Sequence, residues 1–291
     1  MSLTDIGYVK RLMASHGITF QKKFGQNFLI NPAVPENIAA ECGAEPGDAI
    51  LEIGPGIGTM TQYLCEMYEK VVCVEIDRAL IPVLHETLAD YDNVTVIEGD
   101  IMKTDLHALF EEHFAGMRVT VCANLPYYIT TPILMLLLES GIPLDNITVM
   151  IQKEVADRLA AAPGTAEYGA VTASVSYYAS VEKLFNVSAG NFLPAPKVDS
   201  AVVRMRLYKE KPVRVKNEEM LFRVIKSAFG QRRKTLLNAL SAGMGEFTKT
   251  ELSEAIAAAG FAETIRGERL SVAEFGVLAD VLWDRKQNKN G

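Results

Sequence analysis

Between Ala49 and Gln152 the chain repeats one pattern. Short, almost continuously apolar runs (AILEIG from Ala49, VVCVEID from Val71, VTVIEGD from Val94, VTVCANLP from Val119, ITVMIQ from Ile147) are each separated from the next by roughly one helix length. Strands that are apolar on both faces belong in a parallel sheet covered by helices on both sides, and their alternation with helical stretches is that of βαβ units. The pattern therefore predicts an α/β, doubly wound, Rossmann-like domain. Two more strand-like stretches follow, LFNVSAGNFLPAP from Leu184 and VDSAVVRMRL from Val198. In the second, Arg204 and Arg206 alternate with apolar residues at a period of two, as expected of strands at a sheet edge.

Past Pro212 the period turns helical. EEMLFRVIKSAFG ends in a glycine stop, QRRKTLLNAL follows, and both Thr248-Lys-Thr-Glu251 and Ser271-Val-Ala-Glu274 have the spacing of a capping box. A small all-helical domain is expected over 213–291, behind an α/β domain over 1–212. The polar tail from Arg285 to Gly291 reads as disordered.

Composition narrows the class. Hydrophobic residues form 49% and charged ones 22% of the 291 residues, as in a folded globular protein. The longest apolar run, Pro132 to Leu138, is far short of the ~20 residues that cross a bilayer. Lys10 and Arg11 interrupt the stretch where a secretory signal needs an apolar core, so a cytoplasmic protein is expected. Cys42, Cys65, Cys73 and Cys122 lie far apart with no C-x-x-C pair, so they read as buried thiols, and no metal is expected.

Charge adds a second surface. The net charge is −7, from 29 Lys and Arg against 36 Asp and Glu, yet residues 212–291 hold 13 positive and 10 negative side chains while residues 1–211 hold 16 and 26. Arg232, Arg233 and Lys234 are consecutive, and Arg223 and Lys226 share one helix face. Such a chain can dock on nucleic acid with its basic end alone; a solvated helical face explains the same residues equally well.

The ends of the predicted strands carry the chemistry. The first ends in Glu52-Ile-Gly54-Pro-Gly56-Ile-Gly58, a glycine turn between strand and helix that lets a ligand approach the backbone. Its G-x-G-x-G spacing differs from the dinucleotide fingerprint and resembles motif I of the S-adenosylmethionine-dependent methyltransferases. The second strand ends in Glu75-Ile-Asp77, where a carboxylate suits two ribose hydroxyls, and the third in Gly99-Asp100, at the same sheet edge. Either acid alone is equally explained as a helix cap.

The fourth strand ends in Asn124-Leu125-Pro126-Tyr127, followed by Tyr128. This stretch resembles the [N/D/S]-P-P-[Y/F] motif of amino-methyltransferases, in the N-L-P-Y form of rRNA adenine-N6 enzymes. Adenine N6 is a poor nucleophile because its lone pair is delocalised into the ring. The Asn124 side-chain oxygen and the Leu125 carbonyl are suited to accept its hydrogens, Pro126 to fix that carbonyl, and Tyr127 to stack on the base. The plainer reading is a strand ending in a proline turn with both aromatics packed beneath it.

Lys22-Lys-Phe24-Gly25-Gln26-Asn27-Phe28-Leu29 and Phe192-Leu-Pro194-Ala-Pro196-Lys-Val-Asp-Ser200, with the tail segments around Arg232 and Arg266, resemble the signatures of the small-subunit rRNA adenine dimethyltransferases, the kasugamycin-resistance family. The likeness spans nearly the whole chain. It implies that Asn27 and Leu29 close over S-adenosylmethionine, that Gly54 and Gly56 hold its amino-acid end, Glu75 its ribose and Asp100 its adenine, and that Asn124 lies between cofactor and target. Phe192 becomes the second wall against a flipped base. The implied substrate is 16S rRNA in the small ribosomal subunit, where two adjacent adenines of a terminal hairpin loop each receive two methyl groups. Arg223, Lys226, Arg232, Arg233 and Lys234 are the expected RNA contacts of a monomeric enzyme. Three rival functions compete with this one: a macrolide-resistance methylase of large-subunit rRNA, an RNA-binding assembly or transcription factor that keeps the fold without turnover, and a nicotinamide oxidoreductase.

Overall fold

The computed structural model describes residues 2–18, 27–231 and 233–290. Lys22 to Gln26 of the first signature, and Arg232 and Gly291, lie outside the described residues. The chain forms two compact units, one of Met1–Ala156 with Val181–Leu207 and one of Asp157–Ser180 with Tyr208–Gly291.

In the first unit, α1 (Ile6–Ser15), β1 (Phe28–Leu29) and α2 (Ala33–Ala40) precede the predicted alternation. That alternation appears as β2 (Ala49–Ile53), α3 (Thr61–Met67), β3 (Lys70–Glu75), α4 (Ile81–Thr87), β4 (Val94–Glu98), α5 (Leu106–His113), β5 (Val119–Asn124), α6 (Thr130–Glu139) and β6 (Asn146–Gln152). The helix α7 (Lys153–Leu159) leads out to the second unit and α8 (Ala170–Tyr178) lies in it. The chain then returns through β7 (Ala179–Val187), β8 (Phe192–Leu193) and β9 (Ser200–Leu207).

The large sheet has the order β4-β3-β2-β5-β6-β9-β7. Strands β4 to β6 pair in parallel and β9 runs antiparallel to β6. Ile50, Leu51, Val71, Val72 and Val121 are fully buried, each worth ~1.5–3 kcal/mol in apolar burial. From β2 the chain winds outward to β4, then crosses back to β5 on the other side of β2. This order makes the β2/β5 boundary the topological switch point, and the crevice of such a sheet opens beyond its carboxyl ends.

Two expectations about this unit change. The VDSAVVRMRL strand, β9, is interior rather than an edge, because β7 covers its far side. Arg204 and Arg206 on β9 meet Glu182 on β7, at 2.9 and 3.5 Å. The short β1 also pairs antiparallel with β8, in the register Phe28 to Leu193 and Leu29 to Phe192. That pairing joins two signatures far apart in sequence.

The second unit holds α9 (Glu218–Gly230), α10 (Leu236–Gly243), α11 (Lys249–Ala258) and α12 (Val272–Asn290) besides α8. Met220, Leu221, Val224, Ile225 and Ala228 of α9 line one helical stripe and are buried. The sequence boundary at 212/213 therefore differs from the structural division, which begins at Tyr208 and adds Asp157–Ser180. Packing within the unit explains the addition. The Tyr177 hydroxyl donates to Glu218 (2.8 Å), Tyr178 stacks on Phe222 at 5.7 Å between centroids, and the Tyr168 hydroxyl donates to the Leu270 carbonyl (2.9 Å). The tail expected to be disordered is helical to Asn290. Arg285 pairs with Glu254 (2.9 Å) and Lys289 with Glu251 (2.7 Å), ties to α11 that composition does not reveal. None of the helices among the described residues is long and apolar enough to cross a membrane.

Candidate active site

Beyond β2 the chain turns through Gly54, Gly56 and Gly58, with φ of +70°, +64° and +87°. A side chain in this left-handed region costs ~1–2 kcal/mol. At Gly54 a Cβ would meet nothing within 4 Å, so the backbone conformation rather than crowding demands glycine there. Two hydrogen bonds anchor the turn to β3: the Gly54 amide donates to the Val74 carbonyl (2.9 Å), and the Gly56 amide to Glu75 Oε2 (3.0 Å).

The Asn124–Tyr127 turn is fixed just as firmly on the other side of the switch point. The Leu125 amide donates to the Met150 carbonyl (3.1 Å), and the Pro126 carbonyl accepts from the Ile129 amide (3.2 Å) and the Thr130 hydroxyl (3.1 Å). The Tyr127 hydroxyl is 2.8 Å from that of Ser200, at the start of β9. Burial raises its pKa above the ordinary value, so the phenol stays neutral.

Between the two turns lies a cleft with about 880 Å³ of empty space, its open mouth included. Its lining contains Asn27, Leu29, Gly54, Gly56, Glu75, Asn124, Leu125, Pro126, Tyr127 and Phe192. These residues come from five separate stretches of sequence, each marked by its own motif. Phe192 is only 3% exposed and packs with Leu29 in the core, so it closes the cleft wall from within. Asp100 does not line the cleft. It stands just past β4, where its Oδ1 accepts the Met102 amide (3.0 Å) and its Oδ2 is 3.6 Å from Lys103 Nζ. The plainer reading of the two tyrosines fails, because Tyr127 lines the cleft and Tyr128 is 66% exposed.

The electrostatics of the cleft come from two carboxylates. Glu75 is 4% exposed and accepts backbone amides on both oxygens, from Gly56 on Oε2 and from Asp77 on Oε1 (2.8 Å). Burial nevertheless raises its pKa. Glu52, which pattern reading treated only as part of the glycine motif, is the residue missed. It is 1% exposed, and desolvation lifts its pKa to about 7 against the opposing pull of the Thr61 and Cys73 side chains. The available signal was an acid inside an otherwise apolar buried strand. Among the described residues the cleft lining contains no Lys, Arg or His, so its charge suits a cationic ligand.

Two polar groups in the lining await partners. The Thr59 hydroxyl is buried with no hydrogen bond, and the Asn124 side-chain amide makes none to any described residue. In the helical unit, Arg223 and Lys226 line a second cleft with Ser227 and Gln231, and Arg223 is ion-paired with Glu246. Arg233 and Lys234 are exposed in the loop that follows α9.

Comparison with known proteins adds independent support. The chain is 52% identical over 265 residues to the ribosomal RNA small subunit methyltransferase A of Lachnoclostridium phytofermentans, covering 90% of this chain and 91% of that protein. It is 44% identical over 287 residues to the protein of that name from Clostridioides difficile, covering 99% of each. The crystal structure of a dimethyladenosine transferase from Plasmodium falciparum matches with a TM-score of 0.73 at 26% identity, over 89% of this chain and 98% of that one. The 23S rRNA methyltransferase ErmE shares the fold, with a TM-score of 0.67 at 24% identity over 88% of this chain and 99% of that one. The family model for ribosomal RNA adenine dimethylase matches residues 17–273, a span that begins ahead of β1, takes in every strand end that lines the cleft and runs into α12. This chain therefore belongs to the ribosomal RNA adenine dimethylase family.

Proposed function

We propose that this protein transfers methyl groups from S-adenosylmethionine to the N6 amines of two adjacent adenines in the terminal hairpin loop of 16S rRNA, late in assembly of the small ribosomal subunit and in the cytoplasm. The observation that carries this reading is the side-chain amide of Asn124, half-buried in the lining of a carboxylate-bearing cleft and unbonded to any described residue.

The residues present fit the cofactor. Gly54 leaves open space in front of the backbone, the Thr59 hydroxyl is an orphan donor and acceptor, and Glu52 and Glu75 supply negative charge for a ligand bearing an ammonium and a sulfonium. Neighbouring strands are ~4.8 Å apart, so the ends of β2, β3 and β4 together offer contacts along roughly 10 Å. Asn27 and Leu29 cover the ligand, Gly54 and Gly56 with Glu52 receive its amino-acid end, Glu75 its ribose, and Asp100, beyond the cleft proper, its adenine amino group.

Bound there, S-adenosylmethionine supplies an electrophilic methyl group on a positively charged sulfur. Asn124 Oδ1 and the Leu125 carbonyl accept the two N6 hydrogens of the target adenine. This draws the nitrogen toward a pyramidal geometry and opposes the positive charge that grows on it. Preorganised dipoles of this kind are worth ~3 kcal/mol each. Pro126 keeps the carbonyl in place, Tyr127 stacks on the base, and Phe192 backs the opposite wall. The methylated nitrogen then releases its proton to water, so no dedicated base is needed. In the helical unit, Lys226, Arg233 and Lys234, with Arg223 and Arg232, neutralise phosphates of the RNA.

Incubating the protein and S-adenosylmethionine with unmethylated small subunits and, in parallel, with unmethylated 23S rRNA, followed by mass spectrometry of the rRNA fragments including the 16S hairpin, tests this reading. Four added methyl groups on two neighbouring adenines are expected. Methylation confined to large-subunit RNA would transfer the chain to the macrolide-resistance activity, and no methylation of either would refute catalysis.

A further inference from the structure

We infer that Tyr128 is a stacking platform for a base flanking the target adenine, which makes it a positioning residue for the RNA strand. The inference rests on the proposed function. Among the described residues Tyr128 is the most exposed of the large hydrophobic side chains, at 66%, and its ring and hydroxyl meet no described residue in a hydrogen bond, ion pair or ring contact. An aromatic ring held in solvent contributes little to folding, so the ring can be exchanged without disturbing the fold.

Its setting gives the ring a role. Tyr128 occupies the turn closed by the Ile129 amide on the Pro126 carbonyl (3.2 Å) and held again by the Thr130 hydroxyl on that same carbonyl (3.1 Å). The backbone that presents the ring is thus fixed before RNA arrives. The preceding residue, Tyr127, lines the cleft and is tied to Ser200, and successive Cα atoms are only ~3.8 Å apart. One turn therefore offers one ring to the cleft and the next ring to the solvent beside its mouth. An adenine drawn into the cleft gives up its stack on its strand neighbours, and the neighbour left at the mouth exposes a bare face. A rigid aromatic ring at that point restores the stack, whatever the identity of the base.

The test uses the full chain and small subunits reconstituted on 16S rRNA whose terminal hairpin is a ligated synthetic RNA. Tyr128→Leu keeps bulk and removes the π face, and Tyr128→Phe keeps the ring. With native RNA, Tyr128→Leu should raise KM for the subunit by roughly 5- to 150-fold, the range of one base stack, with kcat changed far less. S-adenosylmethionine affinity and thermal stability should stay at parental values, and Tyr128→Phe should behave as the parent. When an abasic site replaces the base on either the 5′ or the 3′ side of the target, one of the two positions should make parent and Tyr128→Leu equal. A 2-aminopurine at that position should lose fluorescence on binding the parent and keep it with Tyr128→Leu. Equal KM values for parent and Tyr128→Leu on native RNA would overturn the inference, as would a KM gap that survives both abasic substitutions. A parent protein that methylates no subunit at all would instead overturn the proposed function.

Discussion

Replacing Glu52 by Gln isolates the electrostatics of the cleft. In the folded chain burial holds the Glu52 carboxyl near pKa 7, against an ordinary 4.5. Between those pH values the folded protein keeps a proton that the unfolded chain has released. Its contribution to stability is therefore whole below pH 4.5 and is lost as pH climbs through 7, because there the unfolded state binds fewer protons. At ~1.4 kcal/mol for each pH unit, the full window amounts to roughly 3 kcal/mol. An amide carries no such proton, so Glu52→Gln should gain on the parent by about 2–3 kcal/mol between pH 5 and pH 8. The single tryptophan, Trp283, lies in the helical unit and would report on the wrong part of the molecule. Urea-dependent amide exchange of peptides spanning β2 and β3 reads the α/β unit instead. Saturating S-adenosylmethionine at pH 8 should return much of the parent's deficit, since a cation beside the ionised carboxylate favours its charged form. The variant should gain less from the cofactor. A stability difference between parent and variant that stays flat from pH 5 to pH 8 would refute the reasoning.

Two further outcomes follow from the same geometry. Tyr127→Phe removes only the hydrogen bond to Ser200 (2.8 Å), so it should lower kcat/KM by about fivefold, the worth of one ordinary hydrogen bond, while Tyr127→Ala also loses the base stack and should fall by roughly tenfold or more beyond that; steady-state kinetics on subunits distinguish the two, and equal losses would contradict stacking. Charge reversal at Arg232 and Arg233 should weaken subunit binding and flatten its dependence on salt by about one unit of slope for each phosphate no longer neutralised; binding curves at several salt concentrations with the parental slope would reject phosphate binding there.

Much of the site was legible because each functional residue stands at a strand end, and β-branched runs mark strand ends plainly. Gly54, Glu75 and Asn124 are each the residue at or just past the end of β2, β3 and β5, and parallel pairing brings them to one edge. Asp100 stands just past the end of β4, outside the cleft lining, with one carboxylate oxygen bonded to its own loop. Periodicity says where a side chain starts, and local hydrogen bonds decide where it points. Glu52 escaped for a related reason, since its burial depends on what packs over the face of the sheet from which it projects, which the sequence of β2 does not state. The helical unit was misjudged in extent because its recruitment of Asp157–Ser180 depends on interactions such as Tyr177 with Glu218, across 41 residues of sequence, that no local pattern encodes. The interior position of β9 is likewise set by β7, a strand that is largely solvent-accessible and has little apolar signal of its own.

The central claim is that oxygens at the tip of β5 activate the adenine amine. Asn124→Ala puts it to the most direct test, in single-turnover methyl transfer to unmethylated subunits measured beside the Kd for S-adenosylmethionine. A fall in the transfer rate by roughly 100- to 1000-fold, with Kd within a few-fold of the parent, is the expected result. A rate that holds, or one whose loss is matched by weaker cofactor binding, would contradict the account.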